Sequence, residues 1–368
     1  MLVRNEREIE ALENIRPYCA KIKCCIIKRS SARNAIDAAG SVVRRKSFIV
    51  SRDDRTEMRE NVIESLREGQ DLIYVDHLQV FQYVPETAST PILLDEHNVE
   101  WRIIERFARP NGSRRSIPAR AFARIEWPKL RDYELHACAR ADHVLTVTEQ
   151  DRAIISFEGI PQEKVTSLPI GVDIDHFKQI DLDRSSTRVI SIGTMSWPPN
   201  ADSASFFCSE IYPAVKKAVG SARFSIVGAN PPPDIVAFGR NDRSIEVTGF
   251  VDDIREEAKD AAVFVVPLRV GSGMRVKILD AMAMGLPIVT TSIGCEGIGV
   301  RDGEHVLIAD TPQEFSDAVI RLLGDPEERT RIAAAGRRLV ESSYSWPPIL
   351  SKLDSTLENL IRRNRGNA

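Results

Sequence analysis

The stretch PLRVGSGMRVKILDAMAMG, residues 267 to 285, combines residue types that could hold an anion and a sugar side by side. Gly271 and Gly273 carry no Cβ, so the backbone around Ser272 can come close to a ligand. Arg275 and Lys277 follow at the start of a helix expected to run through about Met284. Unpaired backbone N–H groups, the helix dipole and two cations at one place favour phosphate. Asp280 comes about one turn after Lys277 and suits sugar hydroxyls rather than phosphate. Gly285 closes the helix and Pro287 opens the next strand. A competing reading stays open on this segment alone. Any doubly wound domain has strand, glycine turn and helix in this order, and cations on a first turn can be merely solvated.

The elements that would position these residues alternate along the whole chain. Apolar runs suited to strands fall near 24–29, 46–50, 72–77, 91–96, 143–148 and 164–169, then near 188–193, 223–228, 245–249, 262–267, 287–291 and 305–309. Helical patterns separate them, as at 200–218, 274–284, 312–323 and 326–342. Such alternation implies an α/β protein with parallel sheets covered by helices on both faces. A chain of 368 residues accommodates two ordinary domains, and the polar, acidic stretch from Asp173 to Ser186 reads as their linker. With 43% hydrophobic and 28% charged residues and a net charge of −3, the composition is globular and gives no electrostatic case for nucleic-acid binding. The six cysteines are scattered without a C-x-x-C pair and read as reduced core residues of a cytosolic protein. No apolar run is long enough to span a membrane, and the charged first residues do not form a signal peptide.

The order and spacing of several segments resemble the retaining glycosyltransferases of family 4. The glycine-rich segment looks like that family's donor-binding signature. VISIGTMSWPPNADSASFF (189–207), FSIVGANPP (224–232), VTGFVDDI (247–254) and the stretch 302–346 resemble its C-terminal domain; LLDEHNVEWR (93–102), VLTVTEQDR (144–152) and LPIGVDIDHF (168–177) resemble its earlier parts. The resemblance implies the GT-B fold, two Rossmann-like doubly wound domains facing a cleft. Residues 1–175 would form the acceptor-side domain and 187–345 the nucleotide-sugar donor domain, with 346–368 a helix crossing back to the first. It implies transfer of a hexosyl group from a UDP- or GDP-sugar to a glycan, lipid-linked or small-molecule acceptor with retention of configuration. Arg275, Lys277 and His97 would serve the reaction. Gly193, Gly271, Ser272, Gly273, Asp280 and Glu296 would hold the donor. Cytoplasmic location with peripheral association at the inner face of a membrane fits a lipid-linked acceptor.

Two departures from the family stand out. It usually begins with a strand and a glycine-rich loop, whereas here a helix, VRNEREIEALENI, is expected straight after Met1, leaving the first domain incomplete at its start. Relatives often carry two glutamates where this chain has Ser272 and Asp280, as in a subgroup with G-x-G-x-R-x-K-I-L-[DE]-A. Asp280 is one methylene shorter than that glutamate. Asn200 is expected to cap a helix, and Gly171 to be structural. His97, at the end of the LLDEH strand, could hydrogen-bond donor-sugar hydroxyls or be a capping or core histidine. Asp173-Ile-Asp175 and Asp181-Leu-Asp183 read as solvated charge, so no metal and no cofactor is expected. Other readings are a truncated or non-catalytic sugar-nucleotide-binding protein and a nucleotide-sugar 2-epimerase.

Overall fold

The computed structural model describes residues 1–3, 6–27, 37–38, 40–41, 46–109, 117–181, 183–271 and 273–367. The chain divides into two units. The first comprises Met1–Pro110, Arg115–Ser167 and Asp354–Ala368; the second includes Leu168–Leu353.

In the first unit β1 (Leu2–Val3) precedes α1 (Glu6–Ala11), and β1 pairs in parallel with β2 (Cys25–Ile26). The helix expected straight after Met1 thus begins later, because Val3 is buried in this small sheet. A second correction concerns 46–50, expected as a strand. It is the short helix α2 (Phe48–Ser51). Its apolar, β-branched content favours a strand, but the Ser47 hydroxyl accepts the Val50 N–H as an N-cap and donates to the buried carboxylate of Glu126. After α3 (Thr56–Arg67), four strands form a parallel sheet in sequential order: β3 (Ile73–Asp76), β4 (Ile92–Glu96), β5 (His143–Thr146) and β6 (Val165–Ser167). Between β4 and β5 lie α4 (Glu100–Ala108) and α5 (Ile117–Arg140); α6 (Glu149–Phe157) follows β5. Leu94, Val99, Leu130, Ala137 and Val144 pack in its core.

The second unit is built on a six-stranded parallel sheet. Its strands are β7 (Arg188–Ile192), β8 (Arg223–Val227), β9 (Ile245–Gly249), β10 (Ala261–Val266), β11 (Ile288–Thr290) and β12 (Leu307–Ile308), arranged 12-11-10-7-8-9. Every residue of β10 is buried, as a strand covered on both faces requires. The helices are α7 (Pro198–Phe206), α8 (Tyr212–Ala218), α9 (Pro233–Asn241), α10 (Ile254–Ala258), α11 (Val276–Ala283), α12 (Pro312–Gly324), α13 (Pro326–Ser343) and α14 (Trp346–Asn367), whose residues from Asp354 group with the first unit. The long helix expected over 200–218 widens to a π turn at Phe207–Ile211 between α7 and α8. Pro213 has no N–H to donate to the Ser209 carbonyl, so the regular ladder cannot run through. Phe207, Tyr212, Phe224 and Phe315 fill the core there, with Phe207 and Phe224 ring centroids 4.4 Å apart. The acidic stretch after Asp173 lies on this unit. Ile180 donates to the Met284 carbonyl, and buried Arg329 binds the carbonyls of Arg184 and Ser186.

Candidate active site

The carboxyl ends of β7, β8 and β10 meet because these strands are neighbours in the sheet. Beyond β7 the loop stays zipped to the β8 side, with Gly193 donating to Val227 and Met195 to Ala229, each at 2.9 Å. The backbone carbonyl of Gly193 lies so close to Gly228 that no Cβ fits there. On the other side of Gly193, a Cβ would stand 2.8 Å from Asn200 Nδ2 and 2.9 Å from Lys277 Nζ. Lys277 Nζ donates to Asn200 Oδ1 at 2.8 Å, and Asn200 Nδ2 donates to the Thr194 carbonyl at 3.0 Å. Asn200 therefore does not cap α7. It lies inside that helix and aims the Lys277 ammonium over Gly193.

The glycine-rich turn supplies the second cation. Arg275 Nη1 donates to the Gly273 carbonyl at 2.6 Å, and the guanidinium Cζ would be 2.9 Å from a Cβ on Gly271. Gly273 has φ 74, a left-handed conformation suited to glycine. Among the described residues no side chain caps the start of α11, where Arg275 occupies the N-cap position. Arg269 braces the same turn with a two-pronged ion pair to Asp202 on α7, at 2.6 and 3.1 Å, and lies 4.4 Å over the Phe206 ring. Ser272 lies outside the described residues.

Burial, then the nearby Arg275 charge, push the Lys277 ammonium down to about 8. Two cations at an uncapped helix start make a place where a dianion would relieve the electrostatic penalty. Asp280, one turn on, is half-buried, and desolvation pushes its carboxyl up to about 7. A folded value above the ordinary 3.8 means that this carboxyl costs stability increasingly as pH rises from about 4 through about 7. Asp280→Asn should accordingly stabilise the fold at about pH 8 by about 1–2 kcal/mol after allowance for solvent screening, with the gain vanishing near pH 4. Denaturant titrations at both pH values check this, and equal stability at the higher pH would contradict it. Glu296 is half-buried in the turn after β11, next to Gly297 at φ 83. Gly171 packs on the indole of Trp346.

His97 lies in the first unit, just past β4. Its Nε2 is 3.0 Å from Asp76 Oδ1 and 3.7 Å from Asp95 Oδ2. These carboxylates push the imidazole up to about 10, Asp76 more than Asp95, while His77 and His97 hold Asp76 well below the usual carboxylate range. Sequence reasoning passed over Asp76, His77 and Tyr74. Their signal was the same as for His97: polar residues at the carboxyl end of a parallel strand, here IYVDH. The neighbouring acids Glu96 and Glu134 are buried, and desolvation raises both carboxyls well above their ordinary range. Glu134 accepts the amides of Glu100 and Trp101 at 3.1 Å and so closes the start of α4, a structural task.

Residues 186–325 match the family described as Glycosyl transferases group 1. That span contains Gly193, Asn200, Gly271, Arg275, Lys277, Asp280 and Glu296. Among curated relatives, a phosphatidyl-myo-inositol mannosyltransferase of Mycobacterium leprae is 25% identical over 52% of this chain and 53% of its own. The alpha-D-kanosaminyltransferase of Streptomyces kanamyceticus is 28% identical over 62% of this chain and 63% of its own. The chain spans about half the length of the first curated relatives it matches. Among solved structures, HepE of Anabaena in complex with UDP superposes with a TM-score of 0.67 at 13% identity, covering 97% of this chain and 98% of that one. WaaG, a glycosyltransferase involved in lipopolysaccharide biosynthesis, gives 0.60 at 15% identity over 91% and 87%. The fold is therefore that of the GT-B glycosyltransferases.

Proposed function

We propose that this chain moves a hexosyl group from a nucleotide-sugar to a glycan, lipid-linked or small-molecule acceptor, with retention of configuration. The observation that carries the reading is the Lys277–Asn200 pair held over Gly193, with Arg275 and the uncapped start of α11 beside it. This is a preformed cationic site for a diphosphate within the group 1 match. The second unit takes the donor. Lys277, Arg275 and the amides of Gly271, Ser272 and Gly273 neutralise the leaving diphosphate, and Gly193 admits it closely. Asp280 binds ribose hydroxyls, and Glu296 borders the donor pocket. The first unit takes the acceptor, and His97 hydrogen-bonds the donor sugar. Attack comes from the face the nucleotide leaves, with the leaving phosphate oxygen helping to deprotonate the acceptor. These residues need no metal for that step. Structures of HepE with UDP and with UDP-glucose favour a UDP-sugar over a GDP-sugar as the first donor to try. A lipid-linked acceptor would place the protein at the inner face of a membrane; no helix among the described residues is long and apolar enough to cross one.

The test is a thermal-shift screen of UDP-, GDP- and ADP-sugars, followed by calorimetry and by hydrolysis and transfer assays with the best binder. Lys277 must be protonated to hold a diphosphate. Affinity for the free nucleoside diphosphate should be greatest below about pH 8 and weaken towards tenfold per pH unit above it, with proton uptake on binding near pH 8. His97→Ala should lower transfer and spare binding of the free nucleotide. Failure of every sugar nucleotide to bind would sink the reading, and binding without hydrolysis or transfer would leave a sugar-nucleotide-binding protein.

A further inference from the structure

The carboxyl ends of β3 and β4 carry more than His97. Asp76 and Asp95 are register partners across the two strands. A single oxygen, Asp76 Oδ1, lies 3.0 Å from His77 Nδ1 and 3.0 Å from His97 Nε2. The two imidazoles stack with centroids 4.0 Å apart and planes 27° apart. Asp95 Oδ2, the second carboxylate near His97, accepts the Tyr74 hydroxyl. His77 reaches this arrangement only at φ 77, ψ 140, a conformation left almost entirely to glycine. Holding a histidine there costs on the order of 1–3 kcal/mol. Burial does not offset that cost, since the His77 side chain is 47% exposed. His77 also turns the chain out of β3, with its amide on the Asp95 carbonyl and its carbonyl taking the Val80 amide, each at 3.2 Å, and strain kept on a half-open surface at the end of parallel strands is the motive for a functional reading.

We propose that Asp76 is a positioning residue that locks His77 and His97 into one stacked pair, and that this pair, not His97 alone, faces the sugar in the first unit. The sugar-facing part rests on the glycosyltransferase reading; the lock does not. One carboxylate oxygen that takes both rings requires a proton on His97 Nε2 and on His77 Nδ1, so the orientation of each ring is set. The groups around His97 are Asp76 and His77 from the end of β3, Tyr74 within it, Asp95 on β4 and Glu100 at the start of α4. With two carboxylates against it, His97 remains an imidazolium at neutral pH. It then donates to a hydroxyl oxygen of the sugar and does not act as the base for the acceptor hydroxyl.

The experiment reads the lock and the chemistry separately. Histidine-specific 15N NMR of the full chain at about pH 8 should show His97 charged in the wild type. Asp76→Asn should turn it neutral, and Asp76→Glu should restore the charge. In parallel, the best-binding sugar nucleotide is assayed for hydrolysis. Asp76→Asn and His77→Ala should each lower kcat by about tenfold or more while the Kd for UDP stays within about twofold. A His97 resonance indifferent to Asp76→Asn overturns the lock, and a wild-type kcat in His77→Ala overturns the role of the pair. Saturable binding of one equivalent of ZnCl2 that shifts both rings would make the cluster a metal centre and overturn the proposal as well. If no sugar nucleotide is hydrolysed, the sugar-facing claim falls with the glycosyltransferase reading, while the NMR result still decides the lock.

Discussion

Lys277→Ala should weaken binding of the nucleoside diphosphate by on the order of 2 kcal/mol or more, roughly thirtyfold, and lower turnover at least as much. The ammonium is held in a place that suppresses its own charge. Burial and Arg275 both disfavour the protonated form, and it donates to the neutral amide oxygen of Asn200 at 2.8 Å. A bound dianion would supply the missing countercharge, so the loss on truncation falls on the complex. The free protein should be affected little or even stabilised, since a desolvated cation is removed. Arg275→Ala should show a loss of the same order. Gly193→Ala is the companion test, because its methyl would stand 2.8 Å from Asn200 Nδ2 and 2.9 Å from Lys277 Nζ. It should push the ammonium aside and reduce UDP affinity about tenfold with both cations still present. Calorimetry with UDP on the three variants decides. Unchanged affinity and turnover in both Lys277→Ala and Arg275→Ala would remove the diphosphate from this site.

Gly228→Ala should cost about 3 kcal/mol or more of folding stability. Two effects add. Gly228 sits at φ 151, which an L side chain rarely adopts, and its Cβ would collide with the backbone carbonyl of Gly193 and stand 2.7 Å from that carbonyl carbon. The obstacle is main chain and cannot rotate away. The Gly193 and Met195 amides are tied to the Val227 and Ala229 carbonyls on either side of Gly228, so relief would break the hydrogen bonds that hold the β7 loop in place. Denaturant unfolding measures the loss. Because the same loop places Gly193 beside Lys277, any folded Gly228→Ala protein should also bind UDP more weakly than wild type. A variant as stable as wild type would show that the two loops can separate freely.

Much of this was legible from residue order. Apolar runs located the strands of the four- and six-stranded sheets, since a strand covered on both faces must be apolar throughout, as β10 is. The glycine turn before α11 and its two cations stood out because glycine and charge are local signals. Where a local signal pointed two ways, the reading went astray. Phe48–Val50 looks like a strand, and only Glu126, 79 residues from Ser47, turns it into a capped helix.

The chemistry-bearing contacts belong to another level. Asn200 and Lys277 are 77 residues apart and touch only because β7 and β10 are neighbours in the sheet. Gly193 and Gly228 meet because β7 also pairs with β8. Asp76 faces His97 because β3 and β4 align Asp76 with Asp95. Periodicity is written in each segment by the geometry of one helix or strand. Strand order and register come from packing all segments together, so no single segment records which side chain will meet an ammonium or an imidazole across the sheet.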